Sequence, residues 1–169
     1  MPHTPLWDFA VAYYGKDGVS EACLDLQDRL NVDIPFLICG AWLGLMHIPI
    51  SDADIVRLDG AVLAWREQVI QPLRALRRLL KSGPSPAPNH ETGRLRDSIK
   101  GSELKAERLE IDLLAGLSKE LVTPNRDTAA EIVPANLKKI IEHFTGKACD
   151  THTASTLAML AGVALTFQD

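Results

Sequence analysis

The chain has 169 residues, of which 46% are hydrophobic and 24% charged, and a formal net charge of −4. That length suits one domain spanning residues 1–169, large enough to bury a core without disulfides or metals. A mean hydropathy of +0.01 and a pI near 5.7 exclude an intrinsically disordered chain and a broad nucleic-acid footprint.

Cys23, Cys39 and Cys149 are an odd number with no close pairing, and the first two sit in apolar helical patterns, as buried reduced thiols do. Met1 to Leu6 has neither a basic start nor an apolar signal run. The longest apolar stretch, Ile34 to Ile50, carries His47 and two prolines and falls short of a membrane span. We therefore expect a soluble cytoplasmic protein, bound neither to a membrane nor to nucleic acid.

In chain order, Thr4 can cap and Pro5 open a first helix through Trp7, Phe9, Ala10, Tyr13 and Tyr14. Gly15 to Gly18 makes a turn. A second helix from about Val19 to Leu30 places Val19, Cys23, Leu26 and Leu30 on one face. Asp33 then caps a third helix, Ile34 to His47, apolar nearly all round and so destined for the middle of a bundle. Its Gly40 and Gly44, four apart, let a neighbouring helix come close.

Ser51 with Asp52 and Asp54 marks the start of the clearest element. From there Ile55, Leu58, Val62, Trp65, Val69, Leu73, Leu76 and Leu80 recur at steps of three and four, a sustained helical seam. Pro72 lies within it and should bend the helix. Gly83 to Gly93 is a Pro-rich loop. Leu95, Ile99, Ala106, Leu109, Leu113, Leu117 and Leu121 mark a second long helix beyond it. Pro124 and Pro134 punctuate the tail, Leu137, Ile140, Ile141 and Phe144 define a short helix stopped by Gly146, and a last helix runs from about Thr153 to Phe167. No segment alternates like a strand.

Several of these blocks go together. Leu6-Trp7-Asp8-Phe9, Tyr13, Cys23-Leu24-Asp25-Leu26-Gln27-Asp28, Trp42-Leu43-Gly44, the Trp65 to Lys81 run with Pro72-Leu73-Arg74 and Arg77-Arg78, and Glu103-Leu104-Lys105-Ala106-Glu107 are of this kind. They resemble a bacterial family known only as a conserved domain of unknown function. The similarity covers residues 6–121 and leaves 122–169 as a helical extension. Pro35 stands where that family commonly has a polar residue. The resemblance implies a small cytoplasmic protein and supplies no activity and no catalytic residues.

Charge geometry carries the most functional information. At 100° per residue, Arg74, Arg77 and Lys81 flank the Leu73/Leu76/Leu80 seam, with Arg78 farther round, and Glu103, Glu107 and Glu110 flank the Ala106/Leu109/Leu113 seam. In an antiparallel hairpin the two flanks face each other, placing Lys81 near Glu103, Arg77 near Glu107 and Arg74 near Glu110. Such a ladder is structural if every charge is paired. If the arginines are free, Arg74, Arg77, Arg78 and Lys81, joined by Arg94 and Arg96 (with Lys100) beyond the loop, form an anion site for phosphate or carboxylate.

Other chemistry is poorly provided for. Cys149 and His152 are two ligands where a closed metal site needs about four, and no Glu-x-x-His pair suits a bundle di-iron site. No nucleophile elbow, phosphate loop or dinucleotide fingerprint occurs. Neither a cofactor nor a metal is expected. Trp7, Trp42 and Trp65 read as core anchors.

The sequence thus predicts an all-α, compact bundle of six or seven helices built on a long antiparallel hairpin. Its function reads as a non-enzymatic interaction or regulatory module with a protein partner. The alternative is binding of a small anion, with or without catalysis, at the arginine cluster. On the last helix Ala154, Ala158 and Gly162 form a stripe of small residues, expected to dock on the bundle or to meet its copy in a homodimer.

Overall fold

A computed structural model of the chain describes residues 5–121 and 127–168. Among the described residues every regular element is helical: α1 (Pro5–Tyr14), α2 (Val19–Leu30), α3 (Ile34–Leu45), α4 (Asp52–Trp65), a π-helical segment (Arg66–Ile70), α5 (Gln71–Leu79), α6 (His90–Ser118), α7 (Ala129–Thr145) and α8 (Thr151–Leu165). The backbone stays right-handed helical from Trp65 through Gln71, so α4, the π segment and α5 form one rod. Counted so, the described residues form seven helices, within the six or seven that the apolar periodicity predicts. None of them is long and apolar enough to cross a membrane. Thr4 and Pro124 lie outside the described residues.

The apolar α3 occupies the middle, with ten of its twelve residues buried. Its closest neighbour is α7, and the reason is steric. A Cβ at Gly44 would stand 2.7 Å from the Val133 Cα, and one at Gly40 would run into Ile140. Two backbones can approach this closely only where side chains are missing. Asn136 of α7, buried at 1% exposure, completes the contact. Its Nδ2 donates to the carbonyls of Gly40 (3.1 Å) and Ile48 (3.0 Å), and its Oδ1 accepts from the Ile50 amide (3.0 Å). One amide therefore satisfies the polar backbone where α3 hands over to α4.

Local signals account for most of the boundaries. Ser51 and Asp54 form a reciprocal capping box at the start of α4, and Asn31 in the left-handed region ends α2. Several expectations need correction. Asp33 sits at the N-cap of α3, but its carboxylate makes no capping bond and turns instead to Arg66. α7 starts at Ala129, well before Leu137, through a capping box of Thr128 and Glu131. Pro134 lies inside it on the solvent side, where the lost donor is near the helix start. Pro72 does not simply bend its helix. The Gln71 amide bonds to the Arg66 carbonyl five residues back, and this wider turn immediately precedes the proline, which has no amide to offer.

The leucine seams are also displaced. Burial along the first rod falls on Ile55, Leu58, Val62, Arg66 and Ile70, and α5 has no buried residue. On α6 it falls on Ile99, Glu103, Ala106, Glu110, Leu114 and Ser118, whereas Leu95, Leu109 and Leu113 are 52%, 43% and 43% exposed. Both helices of the hairpin are thus turned by about one residue from the reading based on leucines. On α8, Ala154, Ala158 and Gly162 face water, and Leu157, Leu160, Ala161 and Ala164 face the bundle. Docking through the small-residue stripe is therefore corrected, because burying leucines removes more apolar area from water. The Tyr13 hydroxyl donates to the Leu160 carbonyl at 2.8 Å and ties α8 to α1.

Gly44→Ala should cost about 1–3 kcal/mol of stability in urea denaturation, because the methyl meets backbone that cannot move aside. A loss no larger than that of Gly116→Ala, whose Cβ would meet nothing within 4 Å, would refute the close-approach account.

Candidate functional site

The strongest concentration of buried charge lies where the end of α4 and the π segment meet α3, α6 and α7. Arg66 continues the buried Val62 face in α-helical register, four residues on, and is 6% exposed; the wider turn that follows it keeps Ile70 on the same face. Its Nη2 lies 2.7 Å from Asp59, 3.2 Å from Asp33 and 3.7 Å from Glu110. Asp59 also pairs with His143 Nε2 at 2.8 Å, and Arg66 stacks over the Phe144 ring at 5.1 Å. One guanidinium therefore faces three carboxyl groups and one aromatic ring. The three carboxyls outnumber it.

The excess is resolved by a proton. No donor hydrogen bond reaches either Glu110 oxygen, and the residue is fully buried. Its neighbour Asp33 is another acceptor, so the two carboxyls satisfy each other only with a hydrogen between them. Burial first, then the Asp33 charge, pushes the Glu110 carboxyl far above its ordinary range. Asp33 also moves upward through burial, although the Arg66 charge opposes it. The pair shares a proton at neutral pH.

Farther out along the hairpin the arginines are engaged. Arg74 donates to Glu103 (2.9 Å) and Glu107 (2.7 Å), Arg77 donates to Glu103, and Arg78 pairs with Asp28 of α2. Arg96 Nε donates to the Arg77 carbonyl at 3.3 Å, and the exposed Arg94 lies 3.9 Å from Glu91. Lys81 is exposed at the end of the arm. The predicted ladder exists, but about one turn out of register: Glu103 meets Arg77 rather than Lys81, and Glu110 meets Arg66 rather than Arg74. Burial raises the Glu103 carboxyl, but the hydrogen bonds from Arg77 and Arg74 more than offset it and hold it below its ordinary value.

Other reactive groups are scattered. Burial pushes the Cys23 and Cys39 thiols up to about 12. Asp150 caps α8 through the Thr153 amide at 2.7 Å, so the Cys149–His152 run is engaged in structure. Among the described residues no three acidic, histidine or cysteine side chains converge as metal ligands. The tryptophans stand apart: Trp7 lies under Arg108 at 4.9 Å, Trp65 Nε1 donates to the Ala106 carbonyl at 2.9 Å, and Trp42 lines an open cavity. That cavity, about 480 Å³, is bounded by Asp8, Phe9, Trp42, Met46, His47 and Phe167 among others. His47 is the left-handed residue of a Schellman cap on α3, with its amide bonded to the Gly44 carbonyl at 3.1 Å and the Ile48 amide to the Leu43 carbonyl at 2.9 Å. It follows the helix at φ 60°, and its Nδ1 lies 3.2 Å from the Asp127 carbonyl.

Asn136 and Asp33 are the polar residues that periodicity alone could not single out. A buried asparagine in an apolar helix face, or an aspartate beside an apolar helix start, reads equally well as solvated.

The family described as "Protein of unknown function (DUF2390)" matches residues 5–114, so the chain belongs to that family. The match runs from α1 into α6 and takes in the whole Arg66 cluster except His143 and Phe144. Comparison with curated proteins and with solved structures gives no match.

The shared proton has a consequence for stability. Glu110 titrates near 4.5 when unfolded and well above that when folded, so the native state keeps a proton that the unfolded state has lost. Stability therefore falls as pH rises above that unfolded value, by up to about 1.4 kcal/mol per pH unit for this group. Glu110→Gln should be more stable than wild type at pH 8, with the gap closing toward pH 4.5 in urea titrations. A gap that does not change with pH would refute the shared proton.

Proposed function

We propose that the protein is a non-enzymatic interaction or regulatory module of the cytoplasm, which docks through the outer face of its α5–α6 arm. One observation carries the reading: the arm is built with charge inside and leucines outside. Arg74 and Arg77 are spent on Glu103 and Glu107 across its interior, while Leu76, Leu95, Leu109 and Leu113 are uncovered. α5 packs on α6 and the π segment and has little contact elsewhere. An exposed apolar stripe on a projecting hairpin is what a helical partner covers. The three cysteines are unpaired, which supports a reducing compartment.

A small anion bound at Arg74, Arg77, Arg78, Lys81, Arg94 and Arg96 is the competing proposal. There an anion would have to displace carboxylates already within hydrogen-bond reach of three of the six.

Two measurements decide between them. Crosslinking in the native cell should place partner links on Lys105, beside the outer leucines, in preference to Lys138 or Lys139 of α7. Millimolar phosphate or citrate should leave the melting temperature unchanged. A rise of several degrees that disappears in Lys81→Ala/Arg94→Ala would assign an anion site instead.

A further inference from the structure

Away from the arm, the cavity of about 480 Å³ stands where α1, the end of α3 and the turn after α8 meet. Phe9, Trp42 and Phe167 bound it together with Asp8, Met46 and His47. Its size suits a small organic molecule, since ligand sites run from roughly 300 to 1,000 Å³. The aromatic part of the wall is fixed in place. Phe9 stacks on Tyr13 at 5.1 Å and meets Phe167 edge-on at 5.3 Å, and the Tyr13 hydroxyl is anchored on the Leu160 carbonyl at 2.8 Å. A wall set in advance need not be ordered when a ligand arrives.

The wall is also negative in character. Asp8 brings a carboxylate, and among the described residues no lysine or arginine lines the cavity. Trp42 and Leu45 belong to the last turn of α3, the negative end of its dipole. Aromatic faces attract cations as well. Phe167 shows this within the chain: Lys16, outside the cavity wall, places its Nζ 5.2 Å from the ring centroid. His47 adds an acceptor. Its Nδ1 lies 3.2 Å from the Asp127 carbonyl, which can only accept, so in the neutral ring Nδ1 carries the hydrogen and Nε2 keeps a lone pair. The backbone at His47 is held at φ 60°, where glycine would sit without a side-chain penalty. An imidazole kept at such a place, on the rim of a cavity, is a mark of use rather than of packing.

We infer that this cavity binds the ammonium group of a small organic amine, whose apolar body rests on Phe9, Trp42 and Phe167. Asp8 takes the charge and the N–H groups. A carboxylate offers about four lone-pair sites, so Asp8 can accept them alongside any other donor. An anion in the same place would meet the Asp8 carboxylate and the carbonyl end of α3, with no lysine or arginine in the wall to balance them. A neutral molecule would gain the apolar contacts and nothing from the charge. The cavity shares no residue with the leucine face of the arm, so the inference stands independently of the docking reading.

The test uses the full chain and three probes of one shape: phenethylammonium, neutral phenethyl alcohol and anionic phenylacetate. In titrations followed by proton–nitrogen NMR, the ammonium should move the Trp42 indole resonance. That of Trp65, whose Nε1 donates to the Ala106 carbonyl, should stay in place. The ammonium should bind about tenfold more tightly than phenylacetate, or better. Asp8→Asn, at an exposed position, should weaken the ammonium several-fold and leave phenethyl alcohol unchanged. Asp97→Asn, exposed on α6, removes the same charge outside the cavity and should change neither. The inference is overturned if no probe moves Trp42, or if phenylacetate or phenethyl alcohol binds as tightly as the ammonium. It is equally overturned if Asp97→Asn weakens the ammonium as much as Asp8→Asn does.

Discussion

The burial of Arg66 is the constraint on which the rest of the hairpin depends. A guanidinium out of water costs several kcal/mol, and only close partners offset it. Here Asp33 comes from the start of α3, Asp59 from α4 and Glu110 from the middle of α6, while Phe144 and His143 come from α7. Three helices, α3, α6 and α7, are thus positioned against the rod by the need to meet one of its side chains. The arrangement also works in the other direction. Without Arg66, Asp33, Asp59 and Glu110 would be three acids in a nearly dry site.

The π turn follows from the same requirement. In a regular α-helix Val62, Arg66 and Ile70 drift by about 80° over eight residues, which spreads them across most of one face. One wider turn absorbs the drift. Pro72, with no amide to donate, sits immediately after it, where an α-helical bond to residue 68 would otherwise be missing. Once the rod has been re-registered, Arg74 and Arg77 point where Leu73 and Leu76 would have pointed. Glutamates of α6 at the matching positions make that charge acceptable, and the leucines are left outside.

Where structure is dictated locally, the sequence is legible. The limits of α2, the Ser51 cap, the Pro-rich loop and the close approach at Gly40 and Gly44 all follow from neighbouring residues or from a missing side chain. The hairpin itself, and the fact that its arginines meet its glutamates, could also be read. Its register could not, because counting at 3.6 residues per turn cannot foresee a turn with an extra residue. Nor could the choice between two seams one residue apart, Leu95/Leu109/Leu113 and Glu103/Ala106/Glu110. Taken alone, an apolar rule selects the first. The fold selects the second because Arg66, Arg74 and Arg77 must be paired, and that demand is visible only once several helices are in place. The start of α7 was hidden by Pro134, which looks like a boundary unless its solvent-facing position is known.

An arm held by ion pairs differs in kind from one held by leucines. If its leucines formed the interior, its surface would be charged and it would need nothing further. With Arg74 and Arg77 clasping Glu103 in partly buried geometry, the two helices stay together through directional bonds, and the apolar side chains remain available. Uncovered leucines cost free energy in water, and a docked partner recovers it in proportion to the area covered. The charge network therefore does two things at once. It fixes the spacing of the two helices, and it spares the leucines from being consumed in holding the hairpin shut. The same Arg66 cluster that orients the arm toward α3 leaves its other side open, so the uncovered leucine face is a consequence of how the core's excess of acid was neutralised.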